Sequence, residues 1–193
     1  MKPGARMEIR IGGTGGQGLI LSAKMLADAL ASMGRRVAQS QTYEPTSRGG
    51  FCNSDLVVSE GEVDYPLATA LDCLVLLDRM AVKPSWALLK PGALVIADTR
   101  LCPEIPAGDF RAHHLPLSRT AIELGSERVA NIVALGALAA LAGICGRKLL
   151  EQAVRAETPN SFLDLNLDAL AAGYRLGEQA TATSASPSAA SAA

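Results

Sequence analysis

The residues best placed to grip a ligand sit in two early glycine-rich loops, Gly13-Thr14-Gly15-Gly16-Gln17-Gly18 and Arg48-Gly49-Gly50. The first loop follows Met7-Glu8-Ile9-Arg10-Ile11, which alternates as a strand does, and precedes Leu19 to Leu26, which reads as the start of a helix. A glycine-rich turn between strand and helix lets the backbone approach a ligand closely. It also aims free N–H groups of the helix N-terminus at an anion. The second loop adds one fixed positive charge beside two unhindered backbone positions. The pair is expected to receive a phosphorylated ligand or an acidic group of a protein partner.

Other chemistries fit less well. Gly13, Gly15 and Gly18 satisfy the dinucleotide spacing G-x-G-x-x-G, so a free-standing dinucleotide-binding protein is an alternative reading. That site needs an acid at the end of the second strand to hold the ribose hydroxyls. The expected second strand, 36–41, ends without one, and Glu44 lies beyond it in a Pro-containing loop. A nucleoside-triphosphate loop needs Lys and then Ser or Thr where this chain has Leu19 and Ile20. The glycines could also do no more than permit a tight turn. His113 and His114 are adjacent on an expected strand and point to opposite faces, so they cannot ligate one metal together. Cys52, Cys73, Cys102 and Cys145 are scattered singly, without the spacing of a zinc or iron–sulfur site.

The elements that must hold these loops follow from the apolar pattern. Asp72 to Asp78 and Ala93 to Asp98 are continuous apolar runs of the kind buried on both faces of a parallel sheet. Further strands are expected over 51–58 and 111–115. A helix spans 80–89, interrupted early by Pro84, and a turn falls at Lys90-Pro91-Gly92. From Ser118 the chain reads as helical, over 118–124, 128–144, 147–156 and 163–179. The expected fold is α/β: three layers, a mainly parallel sheet with helices on both faces, Rossmann-like, with a helical C-terminal part.

The domain is expected over 7–179, after a short extension at 1–6 and before a disordered Ala/Ser-rich tail at 180–193. The segment from Val129 to Cys145 is apolar nearly all round. It is shorter than the ~20 residues of a membrane span and bracketed by Arg128 and Arg147, so it reads as a buried helix and not a membrane segment. A net charge of −1 gives no reason to expect nucleic acid. Unpaired cysteines and no signal-peptide pattern point to a reducing, cytoplasmic setting.

Taken in order, the motifs resemble the gamma subunit of 2-oxoacid:ferredoxin (or acceptor) oxidoreductases, equivalent to one domain of the fused pyruvate enzymes. The likeness is carried by the first loop, by Tyr43-Glu44-Pro45-Thr46-Ser47-Arg48-Gly49-Gly50, and by a third stretch. In the third, Leu115-Pro116 leads to Ala121-Ile122-Glu123-Leu124-Gly125 and then Arg128 to Gly136. Together they cover roughly residues 7–178. The commonest form of the second loop has Gly where this chain has Glu44, a departure that points to a subgroup.

The resemblance implies a complex that decarboxylates a 2-oxoacid on thiamine diphosphate and passes electrons through iron–sulfur clusters to ferredoxin or another acceptor. The acyl group passes to coenzyme A. The favoured 2-oxoacid is 2-oxoglutarate, with an aromatic acid (phenylglyoxylate or indolepyruvate) as the alternative. This chain has no cysteine-rich cluster run and no Gly-Asp-Gly segment for magnesium and thiamine diphosphate, since Gly108-Asp109 is followed by Phe110. Those cofactors, thiamine diphosphate, Mg and the 4Fe-4S clusters, are therefore expected on the thiamine-binding alpha and beta subunits and a ferredoxin-like subunit. No catalytic residue and no metal ligand is expected here, and the chain should not turn over alone. Its implied share is assembly and the coenzyme A site, through Gly13, Gly15, Gly16, Gln17, Gly18, Arg48, Gly49 and Gly50. Gln17 would donate from its amide, Arg48 would meet a phosphate or a partner carboxylate, and Asn131 would tie the loops together.

Overall fold

The computed structural model describes residues 6–44, 49–63 and 65–185. Six strands form one sheet: β1 (Met7–Thr14), β2 (Arg36–Tyr43), β3 (Phe51–Ser59), β4 (Leu71–Leu76), β5 (Leu89–Asp98) and β6 (Phe110–Leu115). Their spatial order is β2-β3-β1-β4-β5-β6. β1, β4, β5 and β6 pair in parallel. β3 runs antiparallel to both neighbours, β1 and β2, and so separates two strands that point the same way. The helices are α1 (Leu19–Ala31), α2 (Val82–Trp86), α3 (Leu117–Glu123), α4 (Ala130–Ala142), α5 (Arg147–Glu157) and α6 (Leu163–Ala185).

Strand alternation divides the core between the two sheet faces. Ile9, Ile11, Leu56, Val58, Cys73, Val75, Leu94 and Ile96 pack in one cluster with residues of α1, α3, α4, α5 and α6. Leu74, Leu76, Val95 and Ala97 turn the other way, onto Ala81, Val82, Trp86, Cys102 and Phe110. Helices thus lie on both faces, but unequally: among the described residues the second face has only the 3₁₀ turn Arg79–Ala81 and five-residue α2. Beside that small cluster the second face is polar. Arg10 makes a bidentate pair with Asp55 (Nε–Oδ1 2.8 Å, Nη2–Oδ2 2.7 Å), and Asn53 also donates to Oδ1. α2 closes over the pair through the carbonyl of Pro84.

α4 is the apolar helix expected from the sequence, and it is internal. Every residue from Ala130 to Ala139 is buried. Gly136, Gly173 and Gly177 bring α4 and α6 into backbone contact. A Cβ on Gly136 would strike the carbonyl of Leu170 and lie 2.9 Å from the nitrogen of Tyr174. No helix among the described residues is long and apolar enough to cross a membrane.

Three local readings differ from the structure. The helix expected over 80–89 is the 3₁₀ turn plus α2, and the chain re-enters the sheet at Leu89. Lys90-Pro91-Gly92 is not a free turn but an irregularity within β5: Leu71 pairs with Leu89 while Cys73 pairs with Leu94. α6 continues past Gln179 to Ala185, helped by good helix-forming Ala and by the Thr181 and Thr183 hydroxyls, which donate back to the carbonyls of Gly177 and Gln179. Residues 186–193, the rest of the expected tail, lie outside the described residues.

Candidate functional site

β1 and β4 are parallel neighbours, while the chain leaving β1 crosses through α1 to β2 on the other side. That divergence is a switch point, where open α/β sheets leave a crevice beyond the carboxyl ends of the strands. The first loop occupies it. Gly16 (φ 97°) and Gly18 (φ 71°) adopt backbone that side chains rarely tolerate. Gly18 starts α1, which has no side-chain cap and no acid in its first turn. Its leading N–H groups and the positive end of its dipole therefore point into the crevice.

Gln17 braces this loop. Its Oε1 accepts from the Thr14 nitrogen at 2.8 Å, and its Nε2 donates to the carbonyl of Leu77, just beyond β4, at 3.0 Å. The expected donation to a ligand thus meets a side chain already spanning the switch point. The same fold-back explains Gly13, where any Cβ would collide with Gln17 Oε1. Asn131 links α4 to the loop, its Nδ2 donating to the Gly18 carbonyl at 2.9 Å. Gly18 must lack a side chain for this too, since a Cβ would sit 2.6 Å from that nitrogen.

Antiparallel β3 brings the second loop alongside. Its first residue, Phe51, pairs with Thr14, and the Gly15 nitrogen donates to the Gly50 carbonyl at 2.9 Å. Gly13, Gly15, Gly16, Gln17, Gly18, Gly50 and Asn131 therefore converge. Gly49 precedes them with φ 73°, and Arg48 lies outside the described residues.

The same arrangement disfavours a dinucleotide. β3 separates the end of β2 from β1 by an extra strand, ~4.8 Å further than in the classic site. Glu44 is engaged in closing the β2–β3 connection, its carboxylate accepting from the Phe51 nitrogen at 3.3 Å and its own nitrogen donating to the Phe51 carbonyl. Among the described residues no group of three His, Cys, Asp or Glu could hold a metal ion. His113 and His114 pair with Ile96 and Ala97, which face opposite sides of the sheet. Burial, then the charge of Arg111, holds the His113 imidazole below its ordinary value. Burial pushes Cys52 up, Cys73 to about 12 and Cys102 and Cys145 to about 11, so these are neutral thiols and not nucleophiles.

Sequence reasoning missed the far wall. A cavity of about 200 Å³ opens between Gly16, Gln17 and Leu77 on one side and Glu127, Arg128 and Ala130 on the other. Leu101 also lines it, and beyond Leu101 lies a larger cavity of about 830 Å³ beside Asp78, Arg79 and Arg100. Fully buried Asp98, at the end of β5, shapes this wall. Its carboxylate accepts from the nitrogens of Arg100 (3.0 Å), Leu101 (2.8 Å) and Ser118 (2.6 Å) and from the Ser118 hydroxyl (2.9 Å). The Ser118 oxygen accepts in turn from Arg100, whose guanidinium also pairs with Glu127. Only the three-dimensional return of α3 and α4 to the loop brings these residues together.

A strand–glycine loop–helix unit at a sheet switch point, facing a crevice, defines a Rossmann-like α/β binding domain. The chain belongs to the pyruvate ferredoxin/flavodoxin oxidoreductase family, which matches residues 8–176. It is 37% identical over 179 residues to the 2-oxoglutarate synthase subunit KorC of Methanothermobacter thermautotrophicus, covering 89% of this chain and 95% of that one. The keto/oxoacid ferredoxin oxidoreductase gamma subunit of Geobacter sulfurreducens superposes with a TM-score of 0.83 at 38% identity, over 91% of this chain and 98% of that one. The 2-oxoglutarate:ferredoxin oxidoreductase of Magnetococcus marinus, solved with 2-oxoglutarate, coenzyme A and succinyl-CoA bound, superposes with a TM-score of 0.80 at 27% identity. That match covers 90% of this chain but 31% of the longer one. The chain is a gamma-type subunit of the 2-oxoacid:ferredoxin oxidoreductase class.

Proposed function

We propose that this subunit serves a complex that oxidatively decarboxylates 2-oxoglutarate to its acyl-CoA, and that its two glycine loops form part of the coenzyme A site. The observation that carries the reading is the Gly15–Gly50 hydrogen bond, which joins both loops at an uncapped helix N-terminus in a switch-point crevice. Likeness to a 2-oxoglutarate synthase subunit supports the substrate, and the coenzyme A bound in the Magnetococcus enzyme supports the ligand.

The residues present fit coenzyme A better than they fit the other cofactors of the reaction. Coenzyme A brings a diphosphate and a 3′-phosphate, for which free backbone N–H groups and a guanidinium are suited partners. Its thiol takes the acyl group; the two electrons released pass singly to ferredoxin or another acceptor. This chain carries neither a cysteine-rich cluster run nor a Gly-Asp-Gly segment, so the reading assigns the iron–sulfur clusters and thiamine diphosphate with its magnesium to the thiamine-binding alpha and beta subunits and a ferredoxin-like subunit, and places the complex in the cytoplasm. In this division Gly15 to Gly18 admit the ligand backbone-close, Gln17 holds the loop rigid, and Arg48 meets a phosphate.

Arg48→Ala in the assembled complex tests this. Loss of one charge-assisted contact should raise the KM for coenzyme A roughly ten- to a hundredfold and leave that for 2-oxoglutarate nearly unchanged. Arg48→Lys should restore part, because an ammonium lacks the planar fork. An intact complex with unchanged coenzyme A saturation would refute the assignment. Loss of subunit stoichiometry instead would make Arg48 an interface residue.

A further inference from the structure

We propose that β2 is the seam of a two-fold dimer of this chain: two copies pair their β2 strands antiparallel, so that one sheet runs through both. This interface stands apart from the coenzyme A reading and uses none of its residues.

β2 ends the sheet, and among the described residues it has a strand neighbour, β3, on one side only. Its eight residues pair with β3 without a register shift, so no bulge twists the edge away. From Val37 to Tyr43 it carries no charge and no proline, the features that ordinarily keep an open edge from pairing. The opposite edge, β6, is six residues long and bears Arg111, His113 and His114. Antiparallel alternation fixes which backbone groups of β2 are open. The Glu44 nitrogen donates to the Phe51 carbonyl, and the Ser40 carbonyl accepts from the Ser54 hydroxyl, so the even-numbered residues turn their backbone groups to β3. Val37, Gln39, Gln41 and Tyr43 therefore turn their N–H and C=O groups to the open side.

What β2 offers fits a second β2. With the two-fold axis at Ser40, Gln39 faces Gln41 of the second copy and Val37 faces its Tyr43. All four outward residues then exchange N–H···O bonds with their opposites, about eight bonds in all. No other antiparallel register of the strand with itself uses all four. The same register sets Arg36 opposite Glu44 of the second copy, and symmetry repeats that pair at the other end of the seam. Both side chains are exposed in the single chain, and opposite charges facing each other across strands are favourable. Between them no residue is charged, so the strand meets its own copy without like charges in contact. Tyr43 gains a partner as well. It is 64% exposed, the most of any large apolar side chain among the described residues. In the pair it lies against Val37 of the second copy, an aromatic–β-branched contact of the kind that stabilises neighbouring strands.

The test is analytical ultracentrifugation of the full chain at micromolar concentrations, with cysteine pairing to fix the register. The parent should sediment as a dimer. Across the axis the two Ser40 residues form a non-hydrogen-bonded pair with Cα atoms ~4.5 Å apart, within disulfide reach. Ser40→Cys should therefore link two chains on mild oxidation. Thr42→Cys should not, because its two copies lie four residues apart along the seam, about 14 Å at ~3.4 Å per residue. Gln41→Pro removes an outward N–H and no bond to β3, so it should give a monomer with the circular dichroism of the parent. Arg36→Glu should weaken the dimer about tenfold, and adding Glu44→Arg should restore it. A monomeric parent, a dimer that survives Gln41→Pro, or equal linkage through Thr42→Cys and Ser40→Cys overturns the proposal. So does an edge over 37–43 that is shielded from hydrogen exchange only when the other subunits are present, which would assign it to one of them.

Discussion

Replacing Gly136 by Ala adds one methyl group, and the structure says where it must go. The new Cβ would overlap the Leu170 carbonyl oxygen, lie 2.9 Å from the Tyr174 nitrogen and 3.1 Å from the Gly173 Cα. All three are backbone atoms of α6, so no rotamer change relieves the clash; α6 must move off α4. Overpacking of this kind costs about 1–3 kcal/mol, and the immobile obstacle puts Gly136 at the upper end. Against this stands about 1 kcal/mol gained because Ala is the better helix former. A net loss of about 2 kcal/mol lowers the Tm of a chain this long by about 4–8 °C. Thermal unfolding followed by circular dichroism reads that shift. Gly146→Ala is the control, since a Cβ there meets nothing within 4 Å and its φ of −71° suits any residue. A Gly136→Ala protein as stable as the parent, or more so, would refute backbone-to-backbone packing of α4 on α6.

Asp98→Ala should cost at least ~3 kcal/mol in urea unfolding, because several buried donors on Leu101 and Ser118 lose their only strong acceptor. Arg10→Met should destabilise by about 3–5 kcal/mol by stranding the Asp55 carboxylate, and the double change Arg10→Met with Asp55→Leu should recover most of that; an additive double mutant would contradict the coupling. Burial pushes the Glu8 carboxyl up, but the amides of Ala70 and Thr69 and the Arg6 guanidinium outweigh it and hold the group below its ordinary 4.5. Ionised Glu8 therefore stabilises the fold above about pH 4.5 and loses that contribution as pH falls through the lowered value. The stability gap between the parent and Glu8→Gln should be widest near neutrality and close in acid; a gap independent of pH would refute it.

What could be read from the residues was whatever depends on local spacing. The β1–loop–α1 unit follows from alternation and glycine spacing, and the inward α4 from a segment with no polar face. Strand order is not local. β3 enters antiparallel between β1 and β2, and nothing in 51–59 distinguishes that neighbour from another, yet it carries Gly50 to Gly15. The role of Gln17 was hidden for the same reason, since its partner at Leu77 is distant in sequence and reaches it only through the β1–β4 pairing. Arg128 read as a bracket around an apolar helix. It joins the site only because α4 starts where α1 starts. The end of α6 was misplaced because composition reports poor packing, while a helix of Ala and Thr can still extend an already packed one.

Photoaffinity labelling of the assembled complex decides whether coenzyme A touches this subunit, as proposed. With a coenzyme A derivative bearing an aryl azide near its phosphates, peptide mapping should place the adduct on residues 13–18 or 48–50 or around Arg128, and excess coenzyme A should suppress it. Suppressible labelling confined to the other subunits, in a complex that retains this chain and full turnover, would contradict the account.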